Sequence, residues 1–320
     1  MATKRNRDTI EISRRNFTIG MSAVVGSICT YGASLLVPSV PASHRLPSPT
    51  PQSNMGSSLA IVAAELVEKE LQRGLYFLPT LSPAKYFDIN QKYFQLGLLN
   101  TCASVVKSMA QYTLNKGFSS RYDVDLSNAA SYFDYTKNHN TDDVLQRPKI
   151  IANFRAGCDT LRNYNSGVLA GKSRPIDQVN FLDDMTCFAI NNMHYLHGEL
   201  TRAVETGPLM SLEHQALYFK TRGSVYGYYA LYRGAEQDCF PVVQKMSTPG
   251  REHCFYRTLQ DLHKICMNSD TPRFVTNGSK DSYLIKDSDL KTLADDIKAV
   301  RNSLDKLSER TGSKPAQLLR

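Results

Sequence analysis

The chain has 320 residues, of which 42% are hydrophobic and 21% charged, a composition that excludes wholesale disorder and permits one large or two modest domains. The formal net charge is +8, and residues 1–15 contribute +3 of it, because five Lys and Arg residues there outnumber Asp8 and Glu11. The other +5 is spread along the chain without a basic run. Nucleic-acid binders concentrate their charge on one arm or face, so we expect no nucleic-acid partner.

The amino terminus has the pattern of a membrane anchor. Residues 1–16 form a basic tail, and no charged residue occurs from Asn16 to Ser43. Residues 17–40, FTIGMSAVVGSICTYGASLLVPSV, are long enough to cross a bilayer as one helix. The positive-inside rule leaves the tail in the cytoplasm. The pattern predicts a single-pass protein of the bacterial inner membrane, whose lipid is a partner and whose carboxyl-terminal domain lies in the periplasm.

A second interpretation of the same segment is a cleaved export signal. Ser13-Arg14-Arg15-Asn16-Phe17 resembles the twin-arginine export motif, and Val40-Pro41-Ala42 offers small residues for cleavage before Ser43. In that case Arg14 and Arg15 are read by the export machinery and the mature protein is soluble. A third reading is a buried core helix. The sequence leaves these alternatives open.

A Pro- and Ser-rich linker follows at residues 41–57. Such a stretch is semi-extended and holds a domain away from the bilayer. We predict a helical domain at residues 58–312 and a disordered tail at residues 313–320.

Helical periodicity continues through the domain. The first predicted helix, Ser58 to Arg73, has apolar residues at i, i+3 and i+4 spacing and Gly74 at its stop position. The further predicted helices are Ile89 to Leu114, Asp125 to Tyr135, Lys149 to Leu169, Ile176 to Val204, Leu212 to Asp238, Glu252 to Met267, and Lys286 to about Arg310. The best strand signal is Arg273 to Thr276, before the turn pair Asn277-Gly278. The predicted fold class is therefore all-α, a multi-helix bundle.

Three segments resemble the bacterial domain-of-unknown-function 2333 family. They are ALYFKTRGSVYGYYALYRGAEQDCF, ending at Phe240, FVTNGS at Phe274 to Ser279, and PAKYFDINQKYFQLG at Pro83 to Gly97. The resemblance implies an uncharacterised, membrane-anchored protein with one amino-terminal span, and it implies no activity or catalytic residue.

The Tyr-rich helix carries a candidate ligand site. Arg222, Tyr226, Tyr229 and Arg233 fall on one helical face at i, i+4, i+7 and i+11. Arg beside Tyr suits an anionic or sugar-like ligand, through charge-assisted hydrogen bonds and stacking. The alternative is a core helix whose tyrosines bury their rings and place their hydroxyls on partners.

A candidate metal site lies on the helix before it. His194 and His197 share a face at i and i+3, with Asp183 and Asp184 a few turns earlier. Two well-spaced ligands fall short of the three that a catalytic metal needs, so the alternative is a hydrogen-bonded pair of histidines.

Six cysteines follow the apolar segment. Cys102, Cys158 and Cys187 lie on apolar stripes, where Cys behaves as a small hydrophobic residue. Cys239, Cys254 and Cys266 are the better candidates for one or two disulfides, and the absence of any bridge is an equal alternative.

Together these patterns predict a membrane-anchored envelope protein that binds or scaffolds other envelope proteins. No cofactor motif or catalytic signature is found in the sequence. The alternatives are a metal-assisted hydrolase that uses His194 and His197, and a soluble protein exported through the twin-arginine route.

Overall fold

The structure is a computed structural model that describes residues 56–78, 89–115, 123–134, 146–176, 179–206, 211–245, 253–267, 275–276 and 290–311. The predicted tail (1–16), membrane helix (17–40), most of the linker (41–55) and the predicted disordered tail (313–320) lie outside these residues. No helix within the described ranges is long and apolar enough to cross a bilayer.

Most of the described residues are helical and none lies in a strand, which confirms the all-α prediction for this part of the chain. The helices are α1 Ser58–Arg73, α2 Ile89–Asn115, α3 Val124–Phe133, α4 Arg147–Leu169, α5 Val179–Thr206, α6 Leu212–Asp238, α7 Phe240–Lys245, α8 Cys254–Met267 and α9 Leu290–Thr311. The predicted bounds of α1 and α6 are reproduced, and six further predicted helices differ from the observed ones by a few residues at one or both ends. Helix α7 is not among the predicted helices. Of the segment Arg273 to Thr276, which has the best strand signal, the structure describes only Val275 and Thr276, and both are buried. The Leu290 N–H donates to the Thr276 carbonyl at 2.9 Å.

Local side chains fix where several helices begin and end. The Ser57 hydroxyl accepts from the Ala60 N–H at the start of α1, and the Ser211 hydroxyl caps α6 in the same way. Asp123 caps α3 through the backbone of its first turn. Such caps satisfy backbone donors that the first turn leaves without partners. Gly74 ends α1 with φ 90°, a conformation that L side chains rarely adopt.

The most extensive helix contact joins α2 and α6, and glycines allow it. A Cβ placed on Gly97 would lie 2.0 Å from the Lys220 carbonyl oxygen, and one on Gly223 would lie 2.0 Å from that of Phe94. The two backbones therefore touch directly. Gly223 lies against Phe94, and Gly227, one turn later in α6, lies against Thr101, two turns later in α2. The two helices therefore run parallel.

The other helices surround this pair. The Ser58 backbone bonds to Asp238, so α1 runs antiparallel to α6. Hydrogen bonds of Asp183 to Thr311, and of His194 to Arg301, make α5 and α9 antiparallel. The core is continuous through the bundle. The apolar stripe predicted for α1 is buried, and so are the apolar residues at helical spacing in α2 and α9.

We expect Gly223→Ala to lower the free energy of unfolding by about 1–3 kcal/mol, because overpacking forces the two helices apart. This loss comes in spite of the better helix propensity of Ala, worth about 1 kcal/mol. Urea unfolding followed by far-UV circular dichroism measures the change.

The matched control is Gly198→Ala in α5, where a Cβ meets nothing within 4 Å. It should raise the free energy of unfolding by roughly 0.5–1 kcal/mol. If both variants were stabilised, the close backbone contact of α2 and α6 would be wrong.

Candidate functional site

The predicted ligand face of α6 lies in contact with other helices. Tyr226 is only 5% exposed, and its ring centroid lies 5.8 Å from that of Phe94 in α2. Burial raises the pKa of the Tyr226 hydroxyl well above its usual range. This tyrosine therefore belongs to the core.

The other three predicted residues contact side chains of α8 or of α6 itself. The Tyr229 ring lies 5.3 Å from the ring of His263 in α8. The Arg233 guanidinium donates to Glu236 at 2.5 Å, and the Arg222 guanidinium lies 5.8 Å from the Tyr218 ring. The structure thus brings the four predicted residues onto one face and closes much of that face as a helix–helix contact. This geometry favours the core-helix alternative over an open ligand surface.

The predicted metal pair lies beside basic residues. The Arg301 guanidinium of α9 approaches His194 Nδ1 at 3.4 Å. Burial, and after it the nearby charges of Arg301 and Lys298, lower the pKa of His197. No group of three His, Cys, Asp or Glu residues suited to a metal ion occurs among the described residues. The pair therefore has no third ligand in that part of the chain, and its cationic neighbours disfavour a metal ion.

The carboxylates considered with this pair do not approach it. Asp183 is buried, and it accepts from the hydroxyls of Thr311 at 2.6 Å and Ser308 at 3.4 Å. Asp184 is exposed. Asp183 thus fastens the end of α9 to the start of α5, which is a structural role.

All six cysteines of the described residues are present as thiols. Burial raises the pKa of Cys158 and of Cys266 to about 12, so neither is a thiolate at neutral pH. Of the predicted disulfide candidates, Cys239 is buried and its thiol lies 3.7 Å from the Ile176 carbonyl. No disulfide joins these six cysteines in the structure, and the pairing of Cys239, Cys254 and Cys266 stays a prediction.

A buried carboxylate that the sequence analysis missed lies where α1 meets α2. Glu70 is 1% exposed and accepts from Arg73 at 2.9 Å and from the Gln95 amide at 2.8 Å. Gln91 approaches the same carboxylate at 3.4 Å. A buried charge is tolerated only when it is paired and hydrogen-bonded, and both conditions are met here. This cluster joins two helices and leaves the carboxylate enclosed.

A second missed cluster fastens the start of α1. The Asp238 carboxylate, at the end of α6, accepts from the Ser58 N–H at 2.6 Å, the Ser57 hydroxyl at 2.8 Å and the Leu59 N–H at 3.1 Å. The Asn165 amide oxygen of α4 accepts from the Ser57 N–H at 2.6 Å. Carboxylates are stabilised at helix amino termini by exposed N–H groups and the helix dipole. The first described residues of the domain are thus held by two other helices.

The surface of the described residues has two shallow depressions. One of about 330 Å³ lies between α1 and α4 and is lined by residues that include Glu68, Arg155 and Asp159. The other, of about 210 Å³, lies between α2 and α3 and is lined by residues that include Lys107 and Phe133. Neither depression is lined by a cysteine or a histidine.

Comparison with protein-family models, with curated proteins and with solved structures finds no match for this chain. The resemblance to the domain-of-unknown-function 2333 family stays a prediction.

The Asp238 cluster gives a pH-dependent prediction. Burial, outweighing the hydrogen bonds, raises the pKa of folded Asp238 to about 6, above the value of about 3.9 for an unfolded chain. This carboxyl therefore contributes stability that is fully present below about pH 4 and is lost as the pH rises through 6. We expect the stability of the protein relative to Asp238→Asn to decrease between pH 4 and 7.

Urea unfolding of both proteins across this pH range measures that difference. Asp159→Asn is a suitable control, because Asp159 is exposed on α4. A difference between the protein and Asp238→Asn that stays constant, or grows with rising pH, would contradict the raised pKa.

Proposed function

We propose that the chain is a membrane-tethered helical domain of the bacterial cell envelope, which acts by binding and scaffolding other envelope proteins. Residues 17–40 tether it to the inner membrane, and the domain works in the periplasm. The observation that carries this proposal is the uncharged apolar segment of residues 17–40 after a basic tail. The hydrogen bonds of Ser57 and Ser58 to Asn165 and Asp238 support it, because they fasten the start of the domain. Because the linker ends at residues that are hydrogen-bonded to two helices, the tether holds the whole bundle and not only its first turn.

The outer face of α5 supports a binding role. The side chains of Phe188 and Tyr195 are 39% and 54% exposed, and they lie two turns apart on the same side of the helix. Gly198 lies one turn further along the same side, and a Cβ placed there would meet nothing within 4 Å. Exposed aromatic side chains on one helix face are typical of protein–protein contacts.

The cationic neighbours of His194 and His197 favour this function over the metal-assisted hydrolase. A metal ion bound by the two imidazoles would lie close to Arg301 and Lys298. Positive charges at that distance oppose cation binding.

The tether is tested by fractionation of cells that express the full chain, with mass determination of its amino terminus. We expect an intact chain that stays with the membrane through high-salt and alkaline washes, because a span of this length inserts stably. A soluble form that begins near Ser43 would overturn the tether and favour export. In that case Arg14→Lys with Arg15→Lys should abolish export, whereas a tethered protein should be unaffected.

The binding face is tested by placing a photo-crosslinking phenylalanine analogue at Tyr195 of the full chain in native membranes. We expect an adduct of defined mass, and we expect Phe188→Ser to lower its yield several-fold by removing the neighbouring apolar contact. The control position is Asn163, which is exposed on α4. Equal adducts from both positions, or none from Tyr195, would count against this face.

A further inference from the structure

Three separate segments meet at the end of the bundle where α1 begins. A Cβ on Gly56 would lie 3.2 Å from the Leu169 side chain at the end of α4. Asp238, at the end of α6, bonds to the Ser58 backbone, and Cys239 lies against Ile176. Residues 56–58, 165–176 and 238–245 therefore form one surface, which we term the tether face.

Two large apolar side chains are exposed on the tether face. Leu169 is 56% exposed and Phe240 is 47% exposed. Gly56 lies against Leu169, and the Ser58 N–H donates to Asp238, which is two residues before Phe240. Leu169 and Phe240 therefore lie on either side of Gly56, the first described residue of the domain. Apolar groups in this position are available for insertion into an interface that the chain itself brings close.

The exposed charges of the tether face are all positive. Its segments contain four charged residues, and Lys172, Arg174 and Lys245 are exposed. The fourth, Asp238, is turned inward onto the start of α1. Basic residues around exposed apolar side chains match an anionic bilayer, which is negative at its surface and apolar beneath it.

The length of chain outside the described residues keeps this face near the bilayer. The predicted span ends at residue 40, and residues 41–55 reach at most about 50 Å when fully extended. Helix α6, with 27 residues, is about 40 Å long. The linker is long enough to permit several orientations of the bundle, but it joins the bundle at the tether face. This face therefore has a higher effective concentration at the bilayer than the opposite end.

We infer that the tether face docks on an anionic bilayer surface, with Leu169 and Phe240 inserted at the interface and the three basic side chains over lipid phosphates. The inference rests on the proposed tether and adds to it a fixed orientation. The α5 face is then presented sideways, along the membrane plane, where another envelope protein can reach it.

The chain contains no Trp, so single tryptophans report position without background. The full chain is reconstituted in vesicles of phosphatidylglycerol and phosphatidylcholine. The quencher is bromine near the top of the acyl chains, for the interface, and in separate vesicles bromine near the chain ends, for the bilayer centre. Phe240→Trp tests the tether face. Leu212→Trp is the matched control, because Leu212 is 49% exposed at the other end of the same helix. Ile28→Trp reports on the predicted span.

We expect bromolipid to quench Ile28→Trp and Phe240→Trp, with a blue-shifted emission for both, and to leave Leu212→Trp unquenched. Quenching of Ile28→Trp alone would overturn the docking and leave the tether in place. Equal quenching of Phe240→Trp and Leu212→Trp would also overturn it, because the domain would then have no fixed orientation. An unquenched Ile28→Trp would overturn the tether, and the docking with it.

The contribution of the basic side chains to docking is measured separately. Replacing Lys172, Arg174 and Lys245 by Gln should reduce the quenching of Phe240→Trp to the level of the Leu212→Trp control, as should vesicles of phosphatidylcholine alone. The matched variant replaces Lys149, Arg202 and Lys291, which are exposed at the opposite end of the bundle, and it should leave the quenching unchanged. Equal effects of both triple variants would overturn the assignment to the tether face.

Discussion

The direct backbone contact of α2 and α6 is the constraint on which the rest of the bundle depends. Glycines at positions 97 and 223 bring the carbonyl of one helix to within van der Waals contact of the other. Close approach of two long helices fixes their relative rotation, so the remaining faces of α6 are directed at α1, α5, α8 and α9. The tyrosines of α6 fill the spaces that this geometry leaves, and the Tyr232 hydroxyl donates to Thr186 of α5 at 3.1 Å.

Buried and half-buried carboxylates fasten the surrounding helices to this centre. Glu70 joins α1 to α2, Asp183 joins α5 to α9, and Asp238 joins α6 to α1. Each carboxylate accepts several hydrogen bonds, which offsets the cost of removing it from water. These contacts act at helix ends, where backbone groups lack helical partners, and so they fix how the helices are aligned along the bundle axis.

The same fastening gives the domain a direction. The chain arrives from its amino-terminal segments at a point held by α4 and α6, beside the apolar and basic side chains of the tether face. The aromatic face of α5 lies on the flank of the bundle. A domain held at one end with a binding surface on its side is suited to collecting partners along a membrane, which is the arrangement that the proposed function requires.

Local sequence patterns predicted most of the helices and the inward face of α1. The apolar stripes, the Ser57 and Ser211 caps and the stop at Gly74 act through residues a few positions apart, so they are legible without a structure. Local sequence patterns do not report which helices contact each other. Tyr226 and Tyr229 share a face by spacing alone, but only the packing of α2 and α8 decided that this face is internal. Asp238 is 181 residues from Ser57, and a lone carboxylate near a helix end has no local signature of such a partner. The tether face likewise exists only because three distant segments are brought together by packing, since periodicity reports which side of a helix is buried and not what lies against it.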